Sequence, residues 1–452
     1  MNRRVRRLLT LPASLVLLAL DASAAWAGAG SGSSSFSGGG SSGGSSFSGG
    51  GGYSSGGGYG GGTGSWNLPS FVGFGIFIAL VVVIVLVGAI TSWVRGQEYL
   101  RKRRQRAQRI ETAAAEAAED DEDFAAEHVR VAAADLYLAC QAAWSKNDIA
   151  TLETMVGKDL MVEWRRRLQD FEKKGWHNIV EVHGRPQVEY LGMVNRAGEA
   201  DDRVVCRISV TQEDYVKGKD GSVLHKDGAT TNTVSVEEWW TLAQVDNRWI
   251  LVSIEQETEG RHTLDEAIVA RPDSDDVRLH DEATVEVAQE DAALPGVKTA
   301  DIADLDFDGD ARAAALDLSL ADARFAPDVL EVAVRRAVAG WAEAVDGADD
   351  ALLQVAEPAA AQRLLYPDGG DKRRLVVRGP QVKQVRITKL DAAVDPARMT
   401  VELDVSGRRY VEDRDTAAVV SGSKDDPTTF TERWTLAIDG PVENPWRIVE
   451  TA

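Results

Sequence analysis

The sequence predicts an α+β protein in which two similar domains, each with helices packed on one face of a curved antiparallel sheet, follow a single transmembrane helix. Three observations predict this architecture. A long uncharged segment ends in a block of arginines. Beyond it, short motifs recur in the same order about 195 residues later. Within each copy, helical periodicity comes first, and the two-residue alternation typical of strands follows.

A transmembrane helix is predicted at residues 68–94. The chain carries no charged residue from Ala22 to Val94, and the last part of this run is apolar on every helical face. About 24 residues at ~1.5 Å per residue extend over ~36 Å. That length is enough to cross a hydrocarbon core of ~30 Å.

Basic residues follow the predicted span and indicate its orientation. They are Arg101, Lys102, Arg103, Arg104, Arg106 and Arg109. Because an excess of Lys and Arg marks the cytoplasmic side of a span, we expect a single-pass protein of the cell membrane with its later domains in the cytoplasm. Basic side chains beside an anionic leaflet also favour contact with lipid headgroups. Acidic residues come next, so residues 95–123 are predicted to form a charged stalk.

The N-terminal region has the features of an exported segment. Residues 1–27 combine a basic start, a short apolar stretch and a small-x-small site ending at Ala27, as in secretory signal peptides. Residues 28–65 are mostly Gly and Ser, and the heptapeptide Ser-Ser-Phe-Ser-Gly-Gly-Gly begins at Ser34 and again at Ser45. Such a composition cannot bury enough apolar surface to order itself, so we expect a disordered tail outside the cell.

Composition limits the domain count and the function classes. The net charge of −21 argues against nucleic-acid binding, and two cysteines exclude a disulfide framework or a cysteine zinc site. Residues 271–310 hold 13 acids and 3 bases. We predict that they form an acidic linker with one helix near 281–293. The linker separates a first domain at 124–262 from a second domain at 320–452.

The two predicted domains share five anchor residues. Trp144 is matched by Trp341, Tyr215 by Tyr410, Glu238 by Glu432, Trp240 by Trp434, and Trp249 by Trp446. The offsets lie between 194 and 197 residues. Such constancy over more than a hundred residues indicates an internal duplication.

Each copy also predicts the same order of elements. In the first copy, apolar residues between Val129 and Trp144 recur at i, i+3 and i+4, and further helical segments follow. Apolar residues then alternate with polar ones from Val204 to Val210, and strands that contain tryptophans close the copy. Helices followed by an antiparallel meander favour helices packed on one face of a sheet.

These motifs resemble a known domain family. Helices, strands with Glu-x-Trp-Thr-Leu, a turn and Trp-Ile-Leu-x-x-Ile-x-Gln are similar to the Tim44-like domain. That domain occurs in subunit 44 of the mitochondrial inner-membrane import translocase and in bacterial membrane proteins. The resemblance covers residues 124–260 and, more weakly, 325–452. It implies the nuclear-transport-factor-two-like superfold, in which helices and a curved sheet form a cone.

The resemblance implies a scaffold rather than a defined activity. The mitochondrial relative touches the membrane and tethers a heat-shock chaperone to the translocase. Its tethering portion lies outside the shared domain, so that role does not transfer to this chain. Some members of the superfold are enzymes that use a pocket inside the cone. In the first copy, His177 or His183 beside Tyr190 are the candidate acid–base groups for such a pocket.

The predicted acidic linker contains part of a calcium-loop motif. Asp304-x-Asp306-x-Asp308-Gly309 matches the first half of such a loop. The twelfth position needs a bidentate Glu but holds Ala315. A solvated turn is the preferred interpretation.

The sequence therefore predicts no catalytic residue, no cofactor and no metal site. The repeated tryptophans are interpreted as core, with a ligand-lining role as the alternative, and Glu238 is expected to pair with a neighbouring cation. We predict a non-catalytic membrane scaffold for unidentified protein partners, linked to protein transport or membrane association. The alternatives are a module that holds an apolar small molecule or lipid in one cone, and a hydrolase- or isomerase-type enzyme in the first domain.

Overall fold

A computed structural model describes residues 28–36, 69–226, 230–274, 276–294, 310–344 and 349–452. The predicted signal peptide and residues 37–65 of the predicted tail lie outside these ranges. The chain divides into two compact units. One comprises the residues up to Ser37 together with 110–452, and the other comprises 38–109.

Helix α1 comprises Pro69–Ala117. Its large apolar side chains from Leu80 to Val94 are all at least 41% exposed. By length and composition it can cross a membrane, and it is the one such helix among the described residues. The helix continues past residue 94 because the residues that follow are mainly Arg, Gln, Glu and Ala, which favour helix. The predicted span and most of the predicted stalk are therefore one helix.

The end of α1 belongs to the first cone. Ile110, Ala113, Ala114 and Ala117 share one helical face and are buried in the core of that domain. The first domain therefore begins at Ile110, and the predicted boundary at residue 124 is too late. Alanines carry little hydrophobicity, and the neighbouring charged residues mask this stripe in the sequence.

Three further helices and five strands complete the first cone. The helices are α2 (Ala126–Ser145), α3 (Ile149–Leu152) and α4 (Lys158–Lys174). The strands are β1 (Trp176–Val194), β2 (Arg203–Gly218), β3 (Val223–His225), β4 (Thr233–Val245) and β5 (Arg248–Gln256). The antiparallel sheet has the order β1-β2-β4-β5, with β3 paired to β2. Register shifts along β1 and β5 mark bulges, which bend a sheet.

The second cone has the same strand order. Its helices are α5 (Val277–Glu290), α6 (Ala311–Ser319), α7 (Pro327–Glu343), α8 (Asp350–Val355) and α9 (Pro358–Leu365). Its strands are β6 (Arg373–Asp391), β7 (Arg398–Asp413), β8 (Val419–Gly422), β9 (Thr428–Ala437) and β10 (Arg447–Thr451). They are arranged as β10-β9-β7-β6, with β8 paired to β7. The predicted α+β class is confirmed.

Corresponding aromatic side chains make the same contacts in both cones. Phe124 lies edge-on to Trp249 with ring centroids 5.4 Å apart, and Phe325 lies edge-on to Trp446 at the same distance. Each tryptophan also donates its indole N–H to the carbonyl that precedes its phenylalanine, at 3.3 and 2.8 Å. These pairs attach the start of the helical layer to the last strand of each sheet.

The predicted acidic linker is in part a helix of the second cone. Val285 and Ala288 of α5 are buried, and Asp281 pairs with Arg335 of α7 at 2.5 Å. The second domain therefore begins with α5 rather than at residue 320. The four acids of α5 suggested a solvated segment. Glu282, Glu286 and Glu290 are exposed, whereas Asp281 lies on the narrow buried face with Val285 and Ala288.

Candidate functional site

The inner face of β2 changes from apolar to polar along its length. Every second residue from Val204 to Val210 faces the helices, and Gln212 and Asp214 follow on the same face. Both polar side chains are fully buried, at 0% exposure. A carboxylate removed from water needs hydrogen bonds and a counter-charge to offset the lost hydration. The position of Asp214 therefore demands a set of polar partners inside the cone.

Asp214 has three polar partners. Asn178 Nδ2 of β1 donates to Asp214 Oδ1 at 2.8 Å, and Lys226 Nζ lies 3.2 Å from Asp214 Oδ2. Asn178 is held in turn by Trp144 Nε1 of α2, which donates to its Oδ1 at 2.7 Å. The third partner is the main-chain N–H of Gly28, which donates to Asp214 Oδ2 at 2.9 Å.

The buried polar and aromatic side chains around Asp214 are here called the mouth of the first cone. They are Tyr137, Gln141, Trp164, Asn178, Gln212, Asp214 and Lys226. The Tyr137 hydroxyl donates to Gln212 Oε1 at 2.7 Å. Burial raises the pKa of Tyr137 well above its ordinary value, so this hydroxyl remains a donor at neutral pH. Burial also lowers the pKa of Lys226, against the opposing charge of Asp214.

Residues 28–36 of the same chain occupy the mouth. The N–H of Ala29 donates to Gln141 Oε1 at 2.6 Å, and Arg167 donates from Nη1 to the carbonyl of Gly30. Together with the contact at Asp214, these bonds go to the main chain of the segment. The mouth therefore binds a peptide main chain. This chain forms a turn in which the Ser31 N–H donates to the Gly28 carbonyl at 3.0 Å, and then a 3-10 helix at Ser33–Phe36.

The end of the segment is held by a polar and an aromatic contact. Ser33 Oγ donates to a carboxylate oxygen of Asp170, and Lys174 Nζ donates to Ser33 Oγ at 2.5 Å. Phe36 is 1% exposed, and its ring lies edge-on to Phe171 with centroids 6.1 Å apart. Full burial of a Phe side chain contributes about 1.5–3 kcal/mol. The structure thus corrects the prediction of a disordered tail for residues 28–36.

Three positions of the segment require glycine. Gly28 has φ +118°, and a Cβ there would lie 2.8 Å from Gln141 Nε2. Gly30 has φ +86°, and a Cβ there would lie 2.5 Å from Trp164 Nε1. A Cβ on Gly32 would overlap the carbonyl of Thr416, which belongs to the second cone. A residue with a side chain in place of Gly30 or Gly32 fits only if the main chain moves.

The second cone completes the mouth. The carbonyl of Thr416, after β7, accepts from the main-chain N–H of Ser34 at 3.2 Å and from its hydroxyl at 2.7 Å. Glu412 at the end of β7 pairs with Arg167 at 2.9 Å and so fixes the guanidinium that contacts the segment. The binding surface for residues 28–36 therefore needs both domains.

Besides Lys226 Nζ, which is ion-paired with Asp214, three donors in the mouth have no acceptor among the described residues. They are Gln141 Nε2, Trp164 Nε1 and Gln212 Nε2, and all three atoms are fully buried. Leaving a buried donor unsatisfied costs about 1–3 kcal/mol. The mouth thus offers more N–H groups than residues 28–36 accept.

Buried ion pairs join the two cones beside the mouth. Glu163 of α4 accepts from Arg414 at 2.6 Å and from Arg374 at 3.1 Å, and both arginines belong to the second cone. All three side chains are 8% exposed or less. A buried network of this kind fixes the relative placement of the two domains, because breaking any pair leaves an uncompensated charge.

A second junction includes one of the histidines. His262 Nε2 donates to the Glu255 carboxylate at 3.0 Å, and Arg378 of the second cone lies 3.6 Å from the same carboxylate. Burial alone would raise the pKa of Glu255, but the charges of His262 and Arg378 lower it to about 2. Burial alone would lower the pKa of His262, but Glu255 and Glu266 raise it to about 10. His262 is therefore protonated at neutral pH.

The six repeated tryptophans are buried in the two cones. Trp144, Trp240, Trp249, Trp341, Trp434 and Trp446 are each 8% exposed or less. Trp240 packs on Tyr137 with centroids 4.9 Å apart, and Trp341 packs on Trp434 at 5.9 Å. Trp144 has a double role, because its ring lies in the core while its N–H orients Asn178 at the mouth.

The repeated acids and tyrosines have different surroundings in the two cones. Glu238 is 5% exposed and accepts from Trp240 Nε1 at 3.0 Å. Glu432 lies 3.4 Å from Arg409. The remaining repeated pair, Tyr215 and Tyr410, contact Glu181 at 3.5 Å and Glu259 at 2.7 Å. Tyr410 thereby contributes to the junction between the cones.

The candidate acid–base groups are not brought together. His177 and His183 are exposed, whereas Tyr190 is 1% exposed and its pKa is raised by burial. The aspartates of the calcium-like loop lie outside the described residues, and Ala315 is buried in α6. Among the described residues, no three His, Cys, Asp or Glu side chains are placed to hold a metal ion.

The basic block differs in exposure along its length. Arg101, Lys102, Arg104 and Arg109 are exposed, Arg103 is half-buried and Arg106 is buried. Four of the six side chains are therefore available to solvent or headgroups. Arg106 is not, because at 2% exposure its charge is enclosed.

The mouth was not predicted from the sequence, although a signal for it exists. The alternation that begins at Val204 continues without interruption to Gln212 and Asp214. At the equivalent places in β7 stand Gly407 and Arg409. The polar pair is therefore specific to the first copy, and anchors chosen because both copies share them cannot reveal it.

The fold and the site define a class: a protein with one membrane-compatible helix and two cone-shaped α+β domains, one of which holds a peptide segment. The Tim44-like domain family matches residues 110–256 and 370–452. These segments cover half of the chain, and the protein belongs to this family. The resemblance seen in the sequence is confirmed.

Two solved structures are similar to parts of the chain. The intermembrane space region of the chloroplast protein ARC6 is 9% identical, with 28% of this chain and 95% of that chain covered and a TM-score of 0.23. An NTF2-like protein involved in plasmid conjugation is 8% identical, with 68% and 86% covered and a TM-score of 0.15. No curated protein matches the chain.

Proposed function

We propose that the protein is a membrane-anchored scaffold whose two Tim44-like domains bind protein partners on the cytoplasmic side of the cell membrane. Residues 69–94 of α1 cross the bilayer, and the exposed basic residues after them face anionic headgroups. The Gly/Ser-rich residues before the helix lie on the opposite side. Partners connected with protein transport fit this placement.

One observation carries the proposal: the mouth of the first cone binds a peptide segment, residues 28–36. In the topology proposed above, a segment of a cytoplasmic partner takes the place of these residues. The main-chain N–H and C=O groups of residues 28–36 are bound by buried side chains, as in domains that recognise peptides. Aromatic side chains fill the interior of both cones, whereas small-molecule sites are open clefts or cavities. Members of the Tim44-like family are generally non-catalytic, which also supports a binding role.

Topology is tested by cysteine labelling on intact cells. Cys140 and Cys206 are fully buried, and burial raises the pKa of both thiols. They would therefore resist an impermeant maleimide on either side of the membrane. We expect Ser45→Cys to react on intact cells and Lys389→Cys, whose side chain is 69% exposed, to react after lysis. Labelling of Lys389→Cys in sealed cells would refute the orientation.

Partner binding is tested by co-purification from the protein's own membrane after cross-linking. Gln141→Leu removes the acceptor for the Ala29 N–H with little change in volume, and we expect it to lose a partner that the wild type retains. Glu238→Gln keeps an acceptor for Trp240 and should retain that partner. A folded Glu238→Gln protein that loses its cellular role would favour an enzyme or ligand site instead.

A further inference from the structure

We propose that the mouth of the first cone is a specific receptor for a peptide that forms a turn and a short 3-10 helix, with glycine at alternate positions and an aromatic residue six places after the central glycine. The pattern is that of residues 28–36, Gly-Ala-Gly-Ser-Gly-Ser-Ser-Ser-Phe. This inference deepens the proposed scaffold function and rests on it, because it names the chemistry of the partner segment.

The contacts of the segment divide into main-chain and side-chain recognition. Asp214, Gln141 and Arg167 bind three consecutive residues through their main chains. These contacts do not depend on side-chain identity. Specificity must therefore come from the positions where a side chain would clash and from the aromatic ring of Phe36.

The segment fits tightly against the mouth at its glycines. Gly30 adopts a left-handed conformation against Trp164, and Gly32 lies against the Thr416 carbonyl. An L-residue in that conformation costs about 1–2 kcal/mol before any clash is counted. The mouth thus selects glycine at both positions by backbone conformation and by space.

The aromatic ring of Phe36 anchors the end of the segment. Its ring packs edge-on to Phe171, and Lys226 Nζ lies 5.7 Å from its centroid. Lys226 also pairs with Asp214, so one cation links the aromatic anchor to the acid that binds Gly28. Cation–π and ring contacts of this kind distinguish an aromatic residue from an aliphatic one.

The buried donors indicate that the segment seen here is not the best occupant. Gln212 Nε2 and Trp164 Nε1 point into the mouth without an acceptor among the described residues. In the proposed topology, the membrane separates residues 28–36 from the cones. We therefore infer that the occupant in the cell is a segment of the same chemistry on a cytoplasmic partner. This segment carries an additional acceptor near Trp164.

The chain itself contains a second peptide for comparison. Residues 39–47 read Gly-Gly-Ser-Ser-Gly-Gly-Ser-Ser-Phe and align with 28–36 without gaps. The aromatic residue and the glycines at the first and fifth positions are kept, but Ser41 stands where Gly30 lies against Trp164. Gly40 and Gly44 also replace Ala29 and Ser33, so the second peptide lacks the hydroxyl that contacts Asp170 and Lys174 as well as the glycine beside Trp164.

The test is calorimetric titration of the full chain lacking residues 28–36, solubilised in detergent, with acetylated peptides. We expect the 28–36 peptide to bind with one site per chain. The Phe36→Ala peptide should bind about 10- to 100-fold more weakly, and the 39–47 peptide about tenfold more weakly. Equal affinity for all three peptides would overturn the proposal, as would no binding to a folded protein.

Hydrogen exchange of the intact chain in detergent covers the case in which the deletion variant does not fold. We expect slow exchange at the amides of Ala29 and Ser34, which donate to Gln141 and to the Thr416 carbonyl, and loss of this protection in the Gly30→Val variant. Fast exchange of both amides in the wild type would refute the proposal. Because neither experiment involves membrane orientation, their failure would leave the labelling test of the scaffold topology intact.

Discussion

At the scale of single residues, Trp240 and Glu238 show how one strand serves both packing and polarity. Trp240 is completely buried, contacts Tyr137 and donates its N–H to Glu238. Glu238 is two residues earlier on the same face of β4, so its carboxylate reaches the indole of its own strand. The buried carboxylate thus accepts a hydrogen bond from its own strand.

Trp240→Ala is expected to lower the free energy of unfolding of the first cone by about 3–5 kcal/mol, because the protein cannot fill the space left by the indole. Chemical denaturation of the detergent-solubilised protein measures this. Glu238→Gln is the matched control: it preserves an acceptor for the indole and should cost about 1 kcal/mol. Equal losses for the two variants would mean that the hydrogen bond, and not the ring, dominates.

His262 gives the junction a defined pH dependence. Its pKa is raised from the ordinary 6.5 to about 10 by Glu255 and Glu266, against the effect of burial. A raised pKa contributes stability that is complete below pH 6.5 and is lost as the pH rises toward 10. We expect the wild type to be more stable than His262→Gln by about 2 kcal/mol at pH 6. The difference should shrink toward pH 10 in thermal melts, and a constant difference would contradict the assignment.

At the scale of elements, α5 shows how an acidic segment becomes part of a domain. Most of its residues are polar or acidic, yet Val285 and Ala288 are buried, while Val287 is 60% exposed. The ion pair from Asp281 to Arg335 attaches the helix to α7. The helix is therefore amphipathic with a narrow apolar face.

Val285→Asp is expected to destabilise the second cone by about 2–4 kcal/mol, because it places a charge against the apolar face of α7. Val287→Asp changes the same helix in the same way on its exposed side and should alter stability by less than about 0.5 kcal/mol. Denaturation midpoints of the two variants provide the comparison. If both behave like the wild type, α5 does not pack in solution.

At the scale of the whole molecule, the two cones share buried charges and behave as one structural unit. Glu163 of the first cone is enclosed by Arg374 and Arg414 of the second, and Arg167 pairs across the same junction with Glu412. Buried pairs contribute little net stability, but removal of one partner is costly because the other charge stays buried. The junction thus couples the unfolding of the two domains.

Glu163→Gln is expected to cost about 3–5 kcal/mol and to split the melting of the soluble portion into two transitions. Differential scanning calorimetry reports both effects. Glu153→Gln is the control on the same domain, since Glu153 pairs with Arg165 at the surface and is 42% exposed. A single unchanged transition in Glu163→Gln would show that the cones unfold together for another reason.

The sequence by itself determined the elements and their order. Periodicity along one element is enough to identify the apolar helix, the alternating strands and the buried tryptophans, because each follows from local geometry. The α+β class and the family also followed, since the Glu-x-Trp-Thr-Leu and Trp-Ile-Leu motifs recur at fixed positions. Boundaries were less well predicted, as Ile110 and α5 show, because a few small apolar residues among acids carry a weak signal.

Only the tertiary structure decided where the polar side chains meet. Asp214, Gln141 and Trp164 lie on β2, α2 and α4, and no local pattern relates them. Their role depends on helices that fold over one end of the sheet, and on a turn of the second cone that closes the site around Gly32. The mouth and the junction are built from residues distant in sequence, so they follow from packing rather than from periodicity.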